Sequence, residues 1–314
     1  MSTRVAVASR SFSKHPVLRA ELSARYPKAV FNDAGSSLKG GDLASFLSGC
    51  EKAVLALEVV DDALLERLPT LKVISKFGVG VDSFDLAAMA RRGVKLAWTP
   101  GTNSRSVAEL ALMSALSLLR RIPEATAGLR AGKWAQPKGT TLTGKTVGLV
   151  GLGAVGRDLV ALMAPFGVRV LAHEPAPDRA FAEKHGVRLV ALEELLRDSD
   201  VVSLHLPLTP ETRGTLDAAR LALMKPTAVL LNTARGGLIV EGALLAALDA
   251  GRLAGAALDV FASEPPGEAR LLSHPKLLAT PHIGGSTEEA ILAMGRAAIA
   301  GLDAARDAAE FLRA

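Results

Sequence analysis

Four polar side chains, placed after three short apolar runs, have the types and order that proton chemistry on an organic acid requires. Arg235 follows Val229-Leu230-Leu231-Asn232-Thr233-Ala234 and precedes Gly236-Gly237. Asp259 and Glu264 follow Ala257-Leu258, in Asp259-Val260-Phe261-Ala262-Ser263-Glu264-Pro265. His282 follows Leu277-Leu278-Ala279-Thr280-Pro281 and precedes Ile283-Gly284. An arginine can hold a carboxylate by two parallel hydrogen bonds. A histidine exchanges a proton near neutral pH. A carboxylate beside it fixes its tautomer and favours its charged form. Taken singly, each is equally well a surface ion pair or a satisfied side chain. Arriving together on successive strand ends, they read as one acid–base site. The other histidines, at positions 15, 173, 185, 205 and 274, lack such settings.

A second motif says what the site works beside. The apolar run Thr146-Val147-Gly148-Leu149-Val150 meets Gly151-Leu152-Gly153-Ala154-Val155-Gly156, and a helical pattern follows over 158–166. In a strand–turn–helix of this kind the first glycine makes the tight turn and the second lets a pyrophosphate approach the backbone. The third lets helix and strand pack closely. The phosphates then rest on N–H groups at the positive end of the new helix. The run Arg169-Val170-Leu171-Ala172 supplies a second strand. Glu174 stands close to the ~20 residues past the last glycine expected of a carboxylate that binds the adenosine ribose. These features together predict a dinucleotide site.

Around these motifs the chain alternates. Residues 5–8, 53–57, 73–74 and 94–97 read as strands, with helices at 16–25, 62–67 and 84–92. After the break Thr99-Pro100-Gly101-Thr102-Asn103-Ser104, a helix over 107–119 carries Glu109 as its only charge. It is buried either in a core or against another subunit. Strands then recur at 146–150, 169–172, 187–190, 201–204, 228–232, 255–259 and 277–280, with helices at 154–166, 178–185 and 241–250. A last helical pattern, 287–312, is Ala-rich and amphipathic. The reading is α/β, two Rossmann-like doubly wound parallel-sheet domains, the first discontinuous. The boundaries are residues 1–99 plus 285–314 for one domain and 100–284 for the dinucleotide-binding one, with hinges near 98–101 and 281–286.

Composition narrows the partners. At 314 residues two domains are expected. Hydrophobic residues at 49% and charged ones at 22% make an ordinary globular balance. The net charge of +5 is spread along the chain without a basic block, and aromatics are 4%, so nucleic-acid binding finds no support. A mild positive potential suits small anionic substrates. Cys50 has no second cysteine to pair with and no histidine near it in sequence, and reads as a small buried thiol. The opening Met1-Ser2-Thr3-Arg4-Val5-Ala6-Val7 enters a strand at once, which predicts no signal peptide. No run reaches the ~18 apolar residues of a membrane span. A cytoplasmic protein without membrane partners is expected.

On these motifs the chain resembles the D-isomer-specific 2-hydroxyacid dehydrogenases over nearly its whole length. The likeness rests on Gly151 to Gly156, Asn232 to Gly237, Asp259 to Pro265 and Pro281-His282-Ile283-Gly284. Phe77-Gly78-Val79-Gly80-Val81-Asp82 adds what looks like that family's substrate-carboxylate loop. The resemblance implies that Arg235 orients the substrate and that His282 is the general acid/base, held by Glu264. It implies cofactor contacts at Gly151, Gly153, Ala154, Val155, Gly156, Glu174, Leu206, Pro207, Thr233, Ala234, Arg235, Asp259, His282 and Gly284. Substrate contacts are implied at Lys76, Val79, Gly80, Arg235 and His282, and no metal is expected. Glutamate at 174 can bind both ribose hydroxyls and repel a 2′-phosphate, which favours NAD.

Within the family the nearest likeness is to the catalytic region of the phosphoglycerate dehydrogenases. Two departures stand against that substrate. No regulatory domain is expected after the last helix, and Val54-Leu55-Ala56-Leu57-Glu58 lacks an arginine for a phosphate, leaving Arg10, Lys14 or Lys76 as stand-ins. The implied activity is hydride transfer at C2 of a D-2-hydroxyacid, with domain closure excluding water. A hydroxypyruvate or glyoxylate reductase is the alternative within the class. An NAD(H)-sensing corepressor-like binding protein is the alternative outside it. A homodimer is expected, with partial burial of the helix over 107–119 at its contact favoured over a place in the core.

Overall fold

Two sheets organise the computed structural model, which describes residues 3–312. In chain order the strands are β1 (Val5–Val7), β2 (Val30–Phe31), β3 (Lys52–Leu55), β4 (Val73–Lys76) and β5 (Lys95–Ala97), then β6 (Thr146–Val150), β7 (Arg169–His173) and β8 (Arg188–Leu189). They continue with β9 (Val201–Leu204), β10 (Val229–Asn232), β11 (Gly255–Leu258), β12 (Leu277–Ala279) and β13 (Arg306–Asp307). The chain divides accordingly: one unit runs to Asn103 and resumes at Ser286, and the other is Ser104–Gly285.

The second unit holds the sheet β12-β11-β10-β9-β6-β7-β8, parallel throughout. Every residue of β6, β9, β10 and β11 is buried. That is why these strands read as unbroken apolar runs: a parallel sheet is covered by helices on both faces. One face packs Leu195, Leu204, Leu230 and Leu244. The other packs Leu149, Leu159 and Leu231 against Ala108, Ala111 and Ala115 of the helix Ser104–Leu119. Its small residues let that helix lie close, so the buried stripe of this apolar helix belongs to its own unit's core, and Met113 on another side is exposed. Because β6 pairs with β7 on one side and β9 on the other, the strand order reverses there. Such a switch point is where open α/β sheets bind ligands.

The first unit holds β13-β5-β4-β3-β1-β2, parallel except that β13 runs antiparallel to β5. Ala290, Met294, Ala298 and Leu302 of the helix Glu288–Ala304 pack with Val5, Val7, Phe12 and Leu18. Leu43, Leu64 and Met89 form the core of the opposite face with Ala308 and Phe311. Helix starts are capped in the expected chemistry: Asp61 accepts from Leu64 N at 2.8 Å, Asp85 from Ala88 N at 2.8 Å and Thr287 from Ala290 N at 3.2 Å. Cys50 is fully buried and free, and burial pushes its thiol up.

The helix expected over 287–312 ends at Ala304. Arg306 and Asp307 instead pair with Leu96 and Lys95, and Phe311 meets Trp98 edge-on at 5.9 Å. Alanine propensity would continue the helix, but burying Ala308 and Phe311 and covering a sheet edge prevails. The elements β2, Arg10–Lys14, Gly40–Leu47, Ile122–Arg130 and Leu192–Asp198 add to those expected. Among the described residues no helix is long and apolar enough to cross a membrane.

Candidate active site

The glycine turn is built at the switch point. Gly151 has φ +104°, and a Cβ there would stand 2.7 Å from the carbonyl carbon and oxygen of His205, so this approach admits only glycine. Its N–H donates to the His173 carbonyl at 2.9 Å, and His205 N donates to Val150 O at 2.7 Å. The turn is thus tied to both neighbouring strands. Gly153 precedes the helix Ala154–Met163 and gives it no side-chain cap. A Cβ on Gly153 would meet nothing within 4 Å, which leaves open the space that a pyrophosphate needs above Ala154, Val155 and Gly156.

Glu174, one residue past β7, turns back onto this turn. Its Oε2 accepts from Leu152 N at 2.9 Å and its Oε1 from Ala176 N at 3.2 Å. Each oxygen keeps a lone pair, so a ribose hydroxyl can join without displacing either amide. Leu206 and Pro207 follow β9, and Thr233 and Ala234 follow β10. Ser203 Oγ, His205 Nε2 and Thr233 Oγ1 lie buried at these strand ends with no hydrogen-bond partner in the structure. Burial alone pushes His205 down to about 4, so it is a neutral group. A dinucleotide fits this frame, which combines an open glycine cradle, a ribose carboxylate and polar atoms at the switch point.

Arg235 is aimed by its neighbours. Fully buried Asn232 donates from Nδ2 to the Arg235 carbonyl at 2.9 Å and accepts from Ala234 N at 3.1 Å. Arg235 Nη1 donates to the Ala234 carbonyl at 2.7 Å. Gly236 then allows a very close approach, since a Cβ there would fall 1.9 Å from the Phe261 carbonyl carbon. That approach packs the arginine loop directly onto the loop that carries Glu264. Sequence reading quoted Asn232 and Gly236 within a motif but gave them no task. It also missed Glu241, whose Oε1 accepts from Ala262 N at 2.6 Å and steadies the Glu264 loop.

Glu264 and His282 meet. His282 Nδ1 lies 2.7 Å from Glu264 Oε2, with the two side chains 40% and 37% exposed, so the pair is open to a ligand and not sealed in the core. The other carboxylate oxygen, Oε1, accepts from Phe261 N at 3.3 Å. With Nδ1 bound to the carboxylate, Nε2 is the nitrogen left to exchange a proton with a ligand. Asp259, expected among the cofactor contacts, is 2% exposed, and both its oxygens serve the histidine loop. Oδ1 accepts from Thr280 Oγ1 and from Ile283 N, both at 2.7 Å, and Oδ2 accepts from Gly284 N at 2.8 Å.

The first unit, taken by itself, presents a different surface. Lys76 ends β4 and is 5% exposed; its Nζ reaches the Ala56 carbonyl and stands 4.5 Å from the Phe84 ring centroid. Its ammonium therefore faces the Ala56 carbonyl and the Phe84 ring. Val79 and Gly80 sit half-buried in the following turn, where the Val79 carbonyl accepts from Trp98 Nε1 at 2.9 Å. Leu57 and Val59, after β3, are 73% and 59% exposed.

Comparison with known proteins agrees with this frame. Residues 112–284 match the family model for the D-isomer specific 2-hydroxyacid dehydrogenase, NAD binding domain. D-3-phosphoglycerate dehydrogenase of Sus scrofa is 40% identical over 258 residues, 81% of this chain and 48% of that protein. The chain thus spans about half the length of the curated relatives it matches. A Polaromonas sp. JS6 66 protein described as a D-isomer specific 2-hydroxyacid dehydrogenase, NAD-binding, superposes with a TM-score of 0.89 at 33% identity, over 97% of this chain and 96% of that one. A glyoxylate reductase from Paecilomyes thermophila superposes with a TM-score of 0.85 at 27% identity, over 96% and 95%. By sequence, by fold and by the motifs around Gly151, Arg235 and His282, the chain belongs to the D-isomer specific 2-hydroxyacid dehydrogenase family.

Proposed function

We propose that the protein is an NAD-dependent D-2-hydroxyacid dehydrogenase, acting in reverse as a 2-oxoacid reductase. The observation that carries this reading is the 2.7 Å His282–Glu264 pair, on loops packed beside Arg235 in an NAD-binding domain of this family. NAD, when bound, takes up or returns the hydride at C2. Glu264 holds Nδ1, so Nε2 of His282 gives its proton to the carbonyl oxygen during reduction and takes it back during oxidation. Arg235 neutralises the substrate carboxylate and polarises the carbonyl as negative charge grows on its oxygen. On the first unit, the amides near Val79 and Gly80 are the proposed substrate-carboxylate contacts. Glu174 accepts the ribose hydroxyls, and its charge repels a 2′-phosphate, which sets NAD above NADP.

The Sus scrofa relative is a D-3-phosphoglycerate dehydrogenase, and 3-phosphoglycerate is the first candidate substrate. A second reading rests on the first unit, where Lys76 faces inward while Leu57 and Val59 face outward. Those loops favour an uncharged substituent, as in hydroxypyruvate or glyoxylate, although Arg10 and Lys14 are exposed on the helix Arg10–Lys14. An NADH-oxidation screen over phosphohydroxypyruvate, hydroxypyruvate, glyoxylate and larger 2-oxoacids tests cofactor, reaction and substrate together. Turnover on at least one is expected. NADH binding without turnover on any of them would replace the enzyme with an NAD(H)-sensing binding protein. We also assign the protein a homodimeric state, through the side of Ser104–Leu119 and Ile122–Arg130 that exposes Met113, Ile122 and Leu129. Light scattering at twice the chain mass is the expected result.

A further inference from the structure

His282 has φ +54°, in the left-handed region that residues other than glycine seldom occupy. Such a conformation persists only where the surroundings over-determine it. Here one residue, Asp259, surrounds it on both sides. The Asp259 carbonyl accepts from His282 N at 2.8 Å. Its carboxylate takes the hydroxyl of Thr280 ahead of the histidine and the amides of Ile283 and Gly284 behind it. Pro281 restricts Thr280 to extended backbone, so the hydroxyl and the histidine are coupled through a stiff link. The Gly284 carbonyl is pinned in turn by Ser106 Oγ at 2.5 Å. Of the groups that donate to the Asp259 carboxylate here, the Thr280 hydroxyl is the side chain and the other two are backbone amides, so it can be removed by substitution without touching a charge.

We propose that Thr280 is a positioning residue for the proton-transfer step: its hydroxyl, through Asp259, holds His282 in the conformation that keeps Nδ1 on Glu264 and Nε2 turned outward. The inference rests on the acid–base reading of His282. Without that hydroxyl, Asp259 Oδ1 keeps only the Ile283 amide. The left-handed turn loosens, and the imidazole spends part of its time off Glu264.

The test compares Thr280→Val with Thr280→Ser, His282→Ala and Glu264→Gln, using NADH and whichever 2-oxoacid turns over. For Thr280→Val, kcat falls roughly 10–100-fold while KM for NADH changes less than about twofold, because misplacing a catalytic group by about 1 Å costs up to ~10²-fold. Its pH profile shifts in the same direction as that of Glu264→Gln. Thr280→Ser restores kcat to within about threefold of wild type. Wild-type kcat and pH profile in Thr280→Val would overturn the proposal. So would a loss that Ser fails to rescue, or one matched by an equal rise in KM for NADH, which would make Thr280 part of the cofactor seat. If Thr280→Val does not fold, Thr280→Ala is read by the same criteria. Should His282→Ala keep full turnover, the acid–base reading itself fails; a dead His282→Ala beside a wild-type Thr280→Val fails the clasp alone.

Discussion

The two sheets present different things at their carboxyl ends. In the second, the loops after β10, β11 and β12 bring Arg235, Glu264 and His282 to half-exposed positions, and the polar residues just ahead, Asn232 and Asp259, are buried and spent on those loops. In the first, Lys76 at the end of β4 turns inward, the turn after it holds Val79 and Gly80 half-buried, and the loop after β3 exposes apolar Leu57 and Val59. A parallel sheet supplies the same address in both cases. What makes one edge reactive is a buried polar residue at the strand end whose hydrogen bonds are satisfied by the loop it aims. Such a group is costly unless fully paired, so the loop has one low-energy arrangement.

The contrast can be broken from either side. On the second sheet, His282→Ala should cost roughly 10²–10⁴-fold in turnover with NADH binding largely kept; unchanged turnover would remove the chemistry from that edge. Gly236→Ala comes next, because its Cβ would fall 1.9 Å from Phe261 and must separate the Arg235 and Glu264 loops. A loss toward the upper end of the ~1–3 kcal/mol typical of overpacking is expected in urea unfolding, together with lost turnover. A stable, fully active variant would show that the approach is dispensable.

On the first sheet, Lys76→Met should behave as a core substitution. Leaving the Ala56 carbonyl without this donor costs about 1–3 kcal/mol, while KM for the 2-oxoacid moves less than about twofold. A large KM rise at unchanged stability would make the first edge an electrostatic one after all. The smallest effect belongs to Asp303, which accepts from Lys52 Nζ and Tyr26 Oη, both at 2.5 Å. The Lys52 ammonium, with the Tyr26 hydroxyl next, lowers its carboxyl from 3.8 to about 2. A depressed carboxyl contributes stability that is fully present above its unfolded value and is lost as pH falls from 3.8 toward 2. Asp303→Asn should therefore flatten that acid limb. Trp98 fluorescence in a Trp134→Phe background reads it for the first unit, and an unaltered acid limb would dismiss the contribution.

Much of this was legible in residue order. Both sheets, the glycine turn and the convergence of glutamate and histidine follow from apolar runs ending in particular residues, and such local patterns survive folding intact. Hidden from sequence were facts set by contact between distant segments. Nothing near Lys76 says that its ammonium turns toward Ala56 and Phe84. Nothing near Asp259 says that it faces Thr280 and Gly284 and not solvent. The alanine-rich tail signals helix to its end, yet Trp98 and β5 claim its last residues for a strand and a core contact. Two-residue strands such as β2 and β13 are too short to carry a periodicity of their own.

The first sheet takes its closing helix and its edge strand from the far end of the chain, and this orders events on the ribosome. Domains tend to fold as units while synthesis proceeds, the earlier-made ahead of the later. Here Val5 and Val7 wait for Met294 and Ala298 to cover them, and those residues are translated after all of Ser104–Gly285. Ser104–Gly285 is therefore expected to complete its core first, while Val5 and Val7 stay uncovered until Met294 and Ala298 have been made.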